Sequence, residues 1–206
     1  MTPAPNPALA PTRSVGTLLA EPLRVGEPTS HGNHTVLPLP GPPPTQSYVS
    51  FAEGVKRGCR VSELPGRASV NDVVVENPIV TPVLLLEGEE VLGAQQNRTF
   101  DATILVAAGS KLRIPVSCVE AGRWDGARAH EHFSPAPQAA HPELRREKAR
   151  GVRESLEAGG AARPSQREVW SNVAAKAQRM DVRSSTGALH DVYEGHRGRL
   201  DRFREE

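Results

Sequence analysis

Residues 83–124 read VLLLEGEEVLGAQQNRTFDATILVAAGSKLRIPVSCVEAGRW. Apolar runs alternate here with turn residues and with two dense polar segments. The first runs from Glu87-Gly88-Glu89-Glu90 to Gln95-Gln96-Asn97-Arg98, and the second from Cys118-Val119-Glu120 to Gly122-Arg123-Trp124. Runs rich in Val, Ile, Leu and Thr that are punctuated this often favour short strands. The stretch predicts strands over 83–87, 99–107 and 111–120, with turns at Glu87-Gly88 and Ala108-Gly109-Ser110. A hairpin between 103–106 and 112–116 is expected, with Pro115 placing its second strand at an edge or a bulge. Charged and amide groups are costly to bury beside apolar strands unless each finds a partner, so two such clusters mark a polar site.

Outward from this stretch, 70–76 continues the strand texture and 35–37 predicts a short strand ahead of the Pro-rich connection 38–44. Ser50-Phe51-Ala52-Glu53 has capping-box spacing and Gly58 follows as a stop, which predicts a helix over 51–57. Residues 125–142, with Ala, Pro and His and little periodicity, read as a linker. Residues 143–158 suit a helix that Gly151 weakens. Ser165-Gln166-Arg167-Glu168 is a second capping box, and Val169, Val173, Ala177 and Met180 form an apolar stripe behind it. The Pro/Ala-rich lead 1–13 is expected to be disordered, and the charged end 184–206 frayed or partly helical. The expected architecture is α+β: a β-rich antiparallel sandwich or barrel-like core over about residues 33–122, followed by C-terminal helices, in one domain over 14–183.

Composition narrows the function classes. A chain of 206 residues, 37% hydrophobic, supports one buried core, and Gly 18 with Pro 19 favours a turn-rich body. A net charge of +1 supplies no field for nucleic acid or an acidic membrane surface. Cys59 and Cys118 form no metal-binding or redox pair, which fits a reducing compartment. The absence of a secretory leader or a long apolar run then predicts a soluble, cytoplasmic protein. His130-Glu131-His132 lacks the spacing that puts two imidazoles on one helix face, so no metal ligands are assigned.

The candidate catalytic residues are Glu89, Glu90, Glu120 and Cys118. Grouped carboxylates suit acid–base work, a divalent cation such as magnesium, or the hydroxyls of a sugar; the alternative is a solvated turn. Cys118 reads either as a nucleophile or as a buried core thiol. The candidate ligand-binding residues are Gln96, Asn97, Arg98, Arg123 and Trp124. The arginines could clamp a phosphate or pair internally with the glutamates, and Trp124 could stack a base or close a strand end.

The segments 86–98 and 114–124, with Ser165-Gln166 and Val169-Trp170 as a looser third motif, resemble the ADP-ribosylglycohydrolase (ARG)- and rhodanese/phosphatase-superfamily-associated protein domain family, over about residues 18–180. That bacterial family is named for gene-neighbourhood association with enzymes that remove ADP-ribose or handle phosphate. The resemblance implies an ADP-ribose, NAD-derived or other small phosphorylated ligand at a Glu/Asn/Arg pocket. It also implies relatives that continue past about Tyr193, so that this copy ends early. The rival expectation is a non-enzymatic scaffold in which the same residues form an ion-pair network and the C-terminal helices dock a protein partner.

Overall fold

A computed structural model describes residues 24–41, 46–66, 69–161 and 163–205, without the side chains of 203–205. The lead 1–13 lies outside the described residues. The chain divides into two units, Met1–Gln46 and Ser47–Glu206. In the first, β1 (Thr29–His31) and β2 (His34–Val36) form an antiparallel hairpin across a left-handed Gly32. The short strand expected near Val36 is therefore one arm of a hairpin.

The second unit is built on a closed six-stranded antiparallel barrel. Its strands are β4 (Arg60–Ser62), β5 (Asp72–Asn77), β7 (Glu89–Leu92), β8 (Arg98–Phe100), β10 (Ser110–Cys118) and β11 (His132–Ala139). The order around the barrel is β10-β5-β4-β11-β7-β8, and β10 is the strand that turns the corner. Its first six residues pair with β5, and its last three with β8. Pro115 stands at the change of partner, where its missing N–H is least disruptive. Val61, Val73, Val75, Val91, Phe100, Ile114 and Phe133 fill the apolar core. The α+β expectation with a barrel-like core holds.

Two expectations fail for the same reason. The hairpin between 103–106 and 112–116 does not form, because β9 (Ile104–Val106) pairs with β6 (Val83–Leu85) in a separate three-stranded sheet completed by β3 (Val49–Ser50). Asn77 locks that arrangement, its amide donating to the carbonyls of Thr81, Val106 and Ala107. The stretch 125–142 is no linker either: it carries a 3-10 turn, Gly126–Arg128, and then β11, which closes the barrel. In both places the deciding partner is remote in sequence.

The helices follow local signals. α1 (Phe51–Lys56) starts at Ser50, whose side chain accepts from Glu53 N. α2 (Pro142–Glu157) and α3 (Gln166–Arg179) pack on the outside of the barrel around Val119, Leu144, Val169, Val173 and Leu189. The Gln166 side chain both donates to the Cys118 carbonyl (2.8 Å) and accepts from its N–H (2.9 Å), which completes the end of β10 as a paired strand would. The end of the chain is helical, as α4 (Leu189–Glu194) and α5 (Arg197–Glu205).

Candidate functional site

The two polar segments meet at one end of the barrel. Between β7 and β8 the chain passes through Gly93 (φ 111) and then Ala94 (φ 44), a left-handed conformation that a side chain disfavours. This tight loop turns the Ala94 carbonyl toward Arg123, whose Nη1 donates to it at 2.8 Å. Arg123 Nε and Nη2 donate to the two oxygens of Glu120 at 2.9 and 2.7 Å, and Nη2 also reaches Asn97 Oδ1 at 3.0 Å. Asn97 N donates to Glu120 Oε2, Thr186 Oγ1 donates to Oε1, and Gln96 Nε2 donates to the Glu120 carbonyl. Burial acts against the Glu120 carboxylate, but the donors of Arg123, Asn97 and Thr186 outweigh it and hold its pKa below the usual carboxylate value.

This braced pair forms one wall of a cavity of about 400 Å³. Leu92 and Gly93 from β7 and its following loop, Arg128 from the 3-10 turn, Ser134 from β11, and His190 with Asp191 from α4 also line it. α4 arrives there because Leu189 N donates to Val119 O and Gly122 N donates to Thr186 O. Gly122 is required at that approach, since a Cβ would stand 3.0 Å from Thr186 backbone atoms.

Arg98 is not on this cavity. Its guanidinium is fully buried, with the Trp124 ring 5.6 Å away and Nη1 donating to the carbonyl and side-chain oxygens of Gln96. Its counter-charge is Glu63, 3.7 Å away and equally enclosed. Arg98 Nε and Nη2 and both Glu63 oxygens make no hydrogen bond. Burial accordingly raises the Glu63 pKa, with Arg98 opposing the rise. Trp124 is half exposed and covers Arg98.

The three carboxylates of the Glu87–Glu90 segment go separate ways. Glu87 accepts from Arg145 Nε at 2.8 Å and pairs with Lys148 Nζ at 3.4 Å, both on α2. Glu89 caps its own turn by accepting from Leu86 N. Glu90 faces β11 and α4, accepting from Gln138 Nε2 at 3.1 Å while its Oε1 has no hydrogen-bond partner. Burial pushes the Glu90 carboxyl up to about 8, a rise that Gln138 opposes and the charges of Glu120 and Asp191 reinforce. β-strand alternation turns Glu89 and Glu90 to opposite faces of β7, and neither lines the cavity described above.

Cys118 lies in the barrel wall, buried, its thiol donating to the Val70 carbonyl at 3.3 Å. Burial pushes it up to about 11, which favours the unreactive thiol at neutral pH. Among the described residues, no group of three His, Cys, Asp or Glu side chains is arranged to hold a metal ion.

Several participants escaped the sequence reading. Lys148 is fully buried and donates to the Phe100 carbonyl at 2.7 Å beside Asp101 at 3.1 Å. Its signal was present: it stands four residues after Leu144 and four before Val152, a charge inside an apolar helical stripe. Glu63, Gln138, His190 and Asp191 gave no comparable sign, because each is placed by a remote pairing.

The family model for the ARG and Rhodanese-Phosphatase-superfamily-associated Protein domain matches residues 22–206. The chain belongs to that family. No curated protein and no solved structure matches it. The family's name associates the domain with ARG and with the rhodanese-phosphatase superfamily. The match begins ahead of the first hairpin and takes in both polar segments, α4 and α5. No helix of the described residues is long and apolar enough to cross a membrane.

Proposed function

We propose that the protein binds a small phosphorylated ligand of the ADP-ribose type in the cavity between the braced Arg123–Glu120 pair and α4. The observation that carries this reading is the meeting of both polar segments at one opening of about 400 Å³, a size suited to a small molecule. Arg123 already uses four of its five N–H donors internally, so it shapes the wall more than it grips a ligand. Arg128, partly exposed and held from one side by Glu131, is the residue placed to meet phosphate. Asp191, Ser134 and Asn97 line the same opening and suit the hydroxyls of a ribose.

Calorimetric titration with ADP-ribose, NAD and nucleotides, each with and without magnesium, tests the reading. Binding that weakens at least tenfold in Arg128→Ala, at unchanged melting temperature, is expected. A folded protein that gives no heat with any of these compounds removes it.

A second reading, a non-enzymatic interaction module with a structural ion-pair network, is favoured by the largely internal donors of Arg123 and the sealed position of Arg98. It requires the cavity to be inert toward small ligands, which the same titrations decide.

A further inference from the structure

β11 leaves its ladder between Pro135 and Ala139, and bulges of this kind re-aim side chains near binding sites. Pro137 and Gln138, within that interruption, line a second cavity of about 530 Å³ against α4 and α5. The Tyr193 ring and the Leu200 side chain form its other apolar surfaces, with Glu194, Arg197 and Asp201 also on the lining. Tyr193 is fixed there because its hydroxyl donates to the Ala139 carbonyl at 2.8 Å.

Gln138 connects the two cavities. It lines the second one while its amide meets His190 Nδ1 at 2.8 Å, and His190 lines the first. One hydrogen-bonded pair therefore joins the linings of the two spaces. Their chemistry is complementary. The first offers Arg123 and Arg128. The second offers two rings and a leucine, and its arginine is already paired with Glu194, a surface better suited to a neutral planar group than to phosphate.

Resting on the reading of the first cavity given above, we propose that the second cavity receives the planar base of the same ligand. The ligand class is then a nucleoside diphosphate derivative. Its base lies against Tyr193 between Pro137 and Leu200, and its phosphorylated sugar passes over the Gln138–His190 pair toward Arg128.

Titration of the wild-type protein with ADP-ribose, ribose 5-phosphate and adenosine tests this, alongside Leu200→Trp, which fills the second cavity. ADP-ribose is expected to bind at least tenfold more tightly than ribose 5-phosphate to the wild type. In Leu200→Trp it should fall to the level of ribose 5-phosphate, whose own binding is unchanged. Equal affinities in the wild type, or an undiminished preference in the folded variant, overturns the base site and leaves the phosphate site standing. Absence of binding by both phosphorylated compounds overturns the two together. Should Leu200→Trp not fold, saturation-transfer NMR on wild-type protein decides: the strongest transfer must fall on the adenine protons, and transfer confined to ribose protons refutes the proposal.

Discussion

Replacing Glu90 by glutamine isolates the cost of one buried carboxyl. In the folded protein this group is pushed up to about 8, against an ordinary 4.5, and its side chain is sealed between β7, β11 and α4. Between those two values the unfolded chain is ionised while the folded chain keeps its proton, so the folded state binds more protons. Stability then falls as pH rises, by about 1.4 kcal/mol per pH unit, and levels off above the folded value. At pH 7 the accumulated loss is roughly 3 kcal/mol relative to pH 4.5. The amide introduced by Glu90→Gln mimics the neutral acid: its carbonyl can accept from Gln138, and it cannot ionise beside Glu120 and Asp191. Urea denaturation followed by circular dichroism at pH 5, 6, 7 and 8 reads the difference. Glu63, Glu89 and Asp101 are also raised by burial and slope the same way in both proteins, whereas Glu120 and Asp72 are lowered and slope oppositely, so the comparison between wild type and variant is the readout. The variant should gain on the wild type steadily from pH 5 to 8. Parallel profiles would refute the burial argument.

Arg98→Ala leaves Glu63 buried without a counter-charge, so a loss of about 3–5 kcal/mol is expected by chemical denaturation; an unchanged melting temperature with abolished ligand binding would instead make Arg98 a ligand residue. Lys148→Met should cost a similar amount, about 3–5 kcal/mol, by orphaning Asp101, and Asp101→Asn in the same chain should recover part of it; strictly additive losses in the double-mutant cycle would count against a coupled pair. Cys118 should resist iodoacetamide at neutral pH in the native protein and react once urea unfolds it. Rapid labelling of the native thiol would contradict its burial and its shift to about 11.

What the sequence disclosed was what neighbours in the chain decide. Ser50 and Ser165 announce their helices because a cap needs only the N–H three residues on, and both caps are present. The strand texture of 70–120 was legible because its Val and Ile runs build the barrel interior. Pairing was not legible. Residues 132–139 close the barrel with two prolines and no β-branched residue, since their place is set by β4 on one side and β7 on the other, both far back in the sequence. The site divided the same way. Asn97, Glu120 and Arg123 were recognisable as polar residues needing partners, and they found one another. Arg98 carried the same signal but resolved inward onto Glu63, because Arg98 itself shares the barrel-facing side of β8 with the core residue Phe100.

The buried ionisable groups cluster where a second layer joins the barrel. Lys148 fastens α2 to the end of β8, Glu90 lies under α4, and the Arg163–Asp72 pair (2.9 Å) ties the approach to α3 onto β5. Apolar residues of equal volume could hold these joins about as strongly, because desolvation offsets much of the Coulomb attraction. A hydrophobic contact tolerates sliding, whereas a carboxylate or ammonium buried out of reach of its partner costs several kcal/mol, about what breaking such a pair costs. These polar groups therefore specify where each helix sits more than how tightly. For α4 that placement defines the cavity, since His190 and Asp191 reach the opening only if the helix is seated on Gln138 and Val119. A substitution at Glu90 should accordingly alter ligand affinity through the position of α4 before it alters any contact with ligand, which separates this residue from Arg128, where affinity alone is at stake.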